Sequence, residues 1–184
     1  MKNIYLKPLI YLVPVILTIT LAVNYFVDSK NSEVDSEISR FDISQLSIHS
    51  FEDISGVKQD ILASSKVIIV HFWASWCGPC VEEFPQLIEM VKSMNGNVVV
   101  YAVSGDSVKS EIDVFLKSFP EAKELKNMHI VWDSEKKYIQ DWQVNKLPES
   151  YIYDSNKKLV KRISGAVDWS SADAKEFIDS IAKK

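Results

Sequence analysis

The sequence is poor in the residues that staple small proteins together or hold metals: of 184 residues, two are cysteine and three are histidine. Both cysteines, Cys77 and Cys80, lie within one short stretch, so they cannot cross-link distant segments, and stability must come from packing. No second Cys-X-X-Cys and no His-X3-His accompanies them, which leaves a zinc site short of ligands. Basic residues form no stripe with interleaved aromatics, and the formal net charge is -4; phosphate neutralisation needs the opposite, so nucleic acid is excluded as a partner. There is no lipid-accepting cysteine near the N-terminus and no internal repeat. What the chain does have is 47% hydrophobic and 25% charged residues, enough for one globular domain with a real core plus an appendage.

The appendage is N-terminal. Residues 1–8 carry Lys2 and Lys7, and Leu9 to Val27 follows as an uncharged run about 28 Å long as a helix. That length spans a bilayer, and the flanking charges leave residues 1–8 in the cytoplasm and send the remainder across. The end of the run lacks an Ala-X-Ala-like cleavage site, which favours a retained anchor over a removed signal peptide. Residues 28–40, DSKNSEVDSEISR, read as a polar tether, and residues 41–184 as the folded domain.

Along the domain the hydrophobic period switches. Val67 to Phe72 is a continuous apolar run, as in a strand buried on both faces, and Gly78 to Met94 carries apolar residues at helical spacing with Gly96 near its end. A second buried strand over Asn97 to Val103, a helix over Ser107 to Phe119 stopped by Pro120, and a third strand over Met128 to Trp132 follow. Then come a brief helix over Glu135 to Trp142, a hairpin of Ser150 to Tyr153 with Leu159 to Ile163, and a last helix opened by Ser170. The expected architecture is α/β, a central mixed sheet flanked by helices.

The two cysteines fall where the first buried strand becomes a helix. Amide N–H groups and the helix dipole at that terminus favour a thiolate at Cys77, below the ~8.5 of a free thiol, which makes Cys77 the nucleophile. Cys80, one turn on, is placed to resolve a mixed disulfide, and Pro79 suits the first turn, where its missing N–H costs nothing. A metal clip and a structural staple are the alternatives, and both are weakened by the absence of further ligands and of distant cysteines. His71 is either a proton-transfer group, given a reference pKa of ~6.5, or a core histidine satisfied by a backbone carbonyl. His49 and His129 read as structural.

The stretch FWASWCGPC followed by VEEFP resembles the thioredoxin superfamily, and within it the membrane-anchored TlpA/ResA/DsbE-like thiol-disulfide oxidoreductases. The resemblance extends from about Phe41 to the C-terminus and includes the segment from about Ser107 to Asp133, similar to the subgroup's insertion, and Lys146-Leu-Pro-Glu-Ser-Tyr-Ile-Tyr-Asp154, similar to its cis-proline loop. It implies a thioredoxin-like fold, a redox-active Cys77–Cys80 disulfide as the sole redox group with no other cofactor and no metal, and Pro148 in the cis-proline position. Leu147 would then present its backbone to a substrate peptide, and Trp76 would touch the substrate. Glu83 would tune the thiols; its alternative is a solvated helix carboxylate. Glu149 resembles the cytochrome-maturation branch.

Gly78-Pro79 between the cysteines resembles reducing thioredoxins rather than strong oxidants. The implied function is an extracytoplasmic reductase, single-pass in the bacterial inner membrane with its C-terminal domain facing the periplasm or cell exterior. Its expected partners are a membrane thiol reductase as electron donor and disulfide-containing envelope clients such as apocytochrome c or copper-site proteins. A general disulfide reductase or isomerase and a copper-binding metallochaperone are the alternatives.

Overall fold

The structure, a computed structural model, describes residues 15–30 and 50–182. The chain divides into two units, Met1–Ser39 and Arg40–Lys184. In the first, residues 15–30 are helical with exposed side chains, and among the described residues no helix is long and apolar enough to cross a membrane. The expected span begins before this helix, and its residues 9–14 lie outside the described residues, as do residues 31–40 of the tether and His49. Residues 28–30, expected as tether, continue the helix; Lys30 Nζ lies 5.8 Å from the centre of the Phe26 ring, an i,i+4 contact that suits a helical turn.

In the second unit a five-stranded sheet runs in the order β5-β4-β3-β6-β7. Its strands are β3 (Val67–Trp73), β4 (Val98–Ser104), β5 (Met128–Trp132), β6 (Glu149–Tyr153) and β7 (Leu159–Ser164). β3, β4 and β5 are parallel, while β6 and β7 are antiparallel to their neighbours, so the sheet is mixed as expected. Every residue of β3 and β4 is buried, which is why both read as unbroken apolar runs rather than alternating ones. Two three-residue strands, β1 (Ser50–Glu52) and β2 (Lys58–Asp60), form a separate antiparallel ribbon joined to β5 by the bridge between Asp53 and Val131. Nothing in their sequence alternates long enough to have predicted them.

The helices are α1 (Gly78–Ser93), α2 (Lys109–Phe115), α3 (Glu121–Glu124), α4 (Lys137–Asp141) and α5 (Ala172–Ala182). Val67, Ile69 and Trp73 of β3 share one core with Phe84, Leu87, Ile88 and Val91 of α1, Ile112 of α2, and Ile178 and Ile181 of α5. Burying each large apolar side chain there contributes about 1.5–3 kcal/mol. The alternate residues of β3 meet an aromatic layer: Phe72 faces Trp142 and Tyr151 at 6.0 Å, and Phe51 packs on Tyr101, Tyr138 and Trp142.

Boundaries shift where local bonding overrides periodicity. The helix expected over Ser107 to Phe119 is shorter. After α2 the amides of Lys117, Ser118 and Phe119 each bond three residues back, tightening the chain ahead of Pro120. At α5 the capping oxygen is Ser171 Oγ, which accepts from the Ala174 amide at 3.2 Å. The expected Ser170 hydroxyl instead donates to Asp168 at 2.6 Å. The β6–β7 turn is closed by Asp154, whose Oδ1 accepts from the Asn156 and Lys158 amides.

Candidate active site

β3 ends at Trp73 and the chain turns through Ala74, Ser75 and Trp76 into α1, with Cys77 as the N-cap residue. The Cys77 amide donates to the Ala74 carbonyl at 3.1 Å, and the Cys77 carbonyl accepts the first helical bond from Val81 at 3.0 Å. Cys77 and Cys80 form a disulfide with Cα atoms 5.2 Å apart. Cys80 is fully buried, Cys77 is 7% exposed, and Trp76 beside it is 67% exposed. Gly78 and Pro79 are exposed within the first turn, where proline removes no helical hydrogen bond. An approaching thiol therefore meets Cys77 first and reaches Cys80 only through it.

The Leu147–Pro148 peptide is cis. It leads into β6, whose Glu149 and Ser150 pair with Phe72 and His71 of β3, so the cis-proline lies at the sheet end from which Cys77 emerges. The Pro148 carbonyl accepts from the Gly165 amide at 2.9 Å, and Gly165 holds φ +107°, a conformation that disfavours any side chain. Glu149 is buried and takes the Arg162 Nε at 2.6 Å; the Arg162 guanidinium also lies 5.3 Å from the centre of the Tyr151 ring.

The helix that carries the disulfide also carries a buried polar group. Glu83 is on α1, one turn after Cys80, and is 3% exposed; the alternative of a solvated helix carboxylate is thus overturned by its burial. Its Oε2 accepts the Val167 amide at 2.7 Å, and its Oε1 lies 3.2 Å from His71 Nε2. His71 is fully buried on the α1 face of β3, with the Trp169 ring edge-on at 6.4 Å. Its Nδ1 lies 2.9 Å from Ser150 Oγ, so the partner is a hydroxyl across the strand register and not a backbone carbonyl. The His71–Glu83 approach is close but out of hydrogen-bond alignment, leaving both facing atoms without a hydrogen-bond partner.

Burial opposes charge on each. It pushes Glu83 up to about 7, against the smaller opposite effect of the Val167 N–H, and it pushes His71 down to about 3. Near neutral pH His71 is a neutral imidazole and Glu83 is the member of the pair that gains and loses a proton. Of the two readings of His71 taken from the sequence, a proton-transfer group or a core histidine, its full burial and hydroxyl partner agree with the second, while Glu83 is the group beside it that burial holds protonated over a wider range.

Another buried carboxylate was not singled out from the sequence. Asp106 follows β4 in the short stretch Ser104-Gly-Asp and is fully buried. Both its oxygens accept from the Ser75 amide at 3.1 Å, Oδ1 accepts the Ser75 hydroxyl at 2.7 Å, and Oδ2 accepts the Ser104 hydroxyl at 2.6 Å. The Gly105 amide donates to the Trp73 carbonyl at 2.7 Å, while Lys136 Nζ and Trp132 Nε1 hold the Gly105 and Asp106 carbonyls. The turn that carries Trp76 and Cys77 is thereby fixed to the end of β4. Only the parallel register that sets Trp73 beside Ser104 could have revealed this pairing.

His129 is in β5, stacked on Tyr101 at 5.3 Å and 3.8 Å from Asp53, away from the disulfide turn. Among the described residues no group of three or more His, Cys, Asp or Glu side chains is arranged to hold a metal ion.

The model of the AhpC/TSA family matches residues 47–162. The thiol-disulfide oxidoreductase ResA of Bacillus thuringiensis is 27% identical over 168 residues, spanning 90% of this chain and 86% of that one. The thiol:disulfide interchange protein HelX of Rhodobacter capsulatus is 28% identical over 104 residues, 56% of this chain and 55% of that one. The crystal structure of StoA from Bacillus subtilis shares the fold, with a TM-score of 0.58 at 23% identity over 70% of this chain and 93% of that one.

Proposed function

Because the chain belongs to the AhpC/TSA family, and within it to the thioredoxin-like TlpA/ResA/DsbE thiol-disulfide oxidoreductases, we propose that it reduces disulfides of client proteins outside the cytoplasm. The observation that carries this reading is the Cys77–Cys80 disulfide itself: a pair closed over one helical turn, the outer sulfur at the N-cap and the inner one buried.

In the reduced protein the Cys77 thiolate, favoured by the helix terminus, attacks one sulfur of a client disulfide. A mixed disulfide forms and the first client thiolate leaves. The Cys80 thiol then gives its proton to the Glu83 carboxylate and, as thiolate, attacks Cys77 Sγ. The second client thiolate departs, the Cys77–Cys80 disulfide closes, and two electrons have passed to the client. Buried neutral His71, held through Nδ1 by Ser150, keeps Glu83 in a site where its proton is exchanged near neutral pH. Leu147 and cis-Pro148 offer an extended backbone to the client chain, with Trp76 as its contact beside Cys77.

Residues 9–27 act as the retained anchor, with Lys2 and Lys7 on the cytoplasmic side and the domain beyond the membrane. Anchoring keeps the domain near a membrane thiol reductase that returns the two electrons after each cycle. Clients in this reading are envelope proteins whose cysteines must be reduced to bind haem or copper, apocytochrome c among them.

Trapping tests the proposal. With Cys80→Ser, clients should accumulate on Cys77 as mixed disulfides released by dithiothreitol, and Cys77→Ser should trap none. Failure of the full-length protein to accelerate insulin reduction by dithiothreitol would remove the activity, and trapping of cytoplasmic proteins alone would remove the location.

A further inference from the structure

Outside the helix at residues 15–30, the large apolar side chains left exposed among the described residues are few: Val57, Leu62, Trp76, Val108 and Val114. Three of these lie on two segments tied to each other, the disulfide turn and α2 with its N-cap. Trp76 adjoins Cys77, Val108 is the N-cap residue of α2, and Val114 lies within α2 and is 62% exposed. The start of α2 is held close to the disulfide turn by the bonds of Gly105 to Trp73 and of Asp106 to Ser75. Between that turn and α2 opens a groove of about 410 Å³ lined by Ser75, Ser110, Glu111, Val114 and Phe115.

The floor of the groove is rigid, because the Phe115 ring packs on Trp73 at 4.7 Å and on Phe84 at 5.0 Å. Two of its polar walls are already engaged within the protein. The Ser75 hydroxyl donates to Asp106, and a Glu111 oxygen accepts the Val108 amide at 3.3 Å. What remains available to an occupant is mainly the apolar surface of Val114 and Phe115.

We propose that this groove is a specificity subsite for a bulky apolar side chain of the client polypeptide, close in sequence to the client cysteine that Cys77 attacks. The inference rests on the disulfide-exchange activity proposed above. The reaction brings the client cysteine to Cys77 Sγ, and an extended chain advances about 3.3 Å per residue, so client residues two or three positions away lie roughly 7–10 Å from that sulfur. Ser75, the near wall of the groove, is itself two residues from Cys77. The groove is shallow and open, so an occupant lies against its apolar face rather than being enclosed by it. Glutathione has no such side chain and gains nothing from the groove.

The test uses full-length protein in non-ionic detergent, with dithiothreitol as the electron donor and its uncatalysed rate subtracted, and three substrates: oxidised glutathione, and two synthetic peptides bearing a glutathionylated cysteine with either phenylalanine or serine two and three positions away. Wild type should reduce the phenylalanine peptide with kcat/KM roughly tenfold above the serine peptide, equivalent to about 1.4 kcal/mol. Val114→Glu, at an exposed position, should bring the two peptides to equal rates while leaving turnover of oxidised glutathione unchanged; Val114→Leu should keep the preference. Equal wild-type rates on the two peptides, or a preference that survives Val114→Glu, overturns the subsite alone. Loss of all three activities in wild type overturns the exchange reaction and the subsite with it.

Discussion

Replacing Glu83 by glutamine should expose a pH dependence of stability that the buried pair cancels in the wild type. Glu83 moves up from 4.5 to about 7 on folding and His71 moves down from 6.5 to about 3, both by burial. Between pH 4.5 and 7 the folded state therefore holds a proton at Glu83 that the unfolded chain has released; between pH 3 and 6.5 it lacks one at His71 that the unfolded chain holds. The surplus makes stability fall as pH rises and the deficit makes it fall as pH drops, each by about 1.4 kcal/mol per pH unit. From pH 4.5 to 6.5 the two cancel, and the pair contributes a plateau. Glu83→Gln leaves only the His71 deficit, so relative to wild type it should lose roughly 3 kcal/mol as pH falls across that window. His71→Asn leaves only the Glu83 surplus, and its stability relative to wild type should rise by a similar amount over the same interval. The assay is urea unfolding of the oxidised full-length chain in detergent at half-unit steps of pH; subtracting wild type from each variant removes the other titrating groups. Profiles that run parallel for all three proteins would refute the reasoning, since they would mean that neither group changes its proton affinity on folding.

The same substitution has a kinetic counterpart. Glu83→Gln should slow resolution of a preformed Cys77 mixed disulfide by about 10²-fold at neutral pH and remove its inflection near pH 7. The first attack by Cys77, measured in a Cys80→Ser background by stopped flow, should be unaffected; equal resolution rates with and without the carboxylate would assign proton transfer to another group. At the turn, Asp106→Ala removes the acceptor of the Ser75 amide and of the Ser75 and Ser104 hydroxyls. Stability should drop by about 2–3 kcal/mol in urea unfolding, and a loss under 0.5 kcal/mol would show that the clamp is dispensable.

The elements carrying the chemistry were the legible ones. β3 and α1 show uninterrupted burial and clean helical spacing, and the junction between them holds the cysteine pair, so the strand-to-helix turn could be read residue by residue. Glu83 and His71 were each visible, but their contact was not. It joins a strand to the helix that follows it through the packing of two faces, and neither residue's neighbours in sequence carry a trace of it. Ser150 was hidden likewise, because its place opposite His71 is a property of the β3–β6 register. Asp106 looked like any acidic residue after a strand until the parallel pairing of β3 with β4 brought it to Ser75. The β1–β2 ribbon failed for a different reason: three residues per strand are too few for a period of two to declare itself.

β3 is paired along both edges, over seven positions with β4 and five with β6, and none of its residues is exposed. Its amides should exchange with solvent deuterium only when the whole domain opens, whereas the β1–β2 ribbon, held to the sheet by one bridge, a few bonds and the buried Phe51 ring, can detach at lower free energy. On that expectation the disulfide hangs from a strand that is among the last described parts of the domain to open. Partial opening at the ribbon spares the sulfur pair, and conditions that expose Cys80 other than through Cys77 are those that melt the domain altogether.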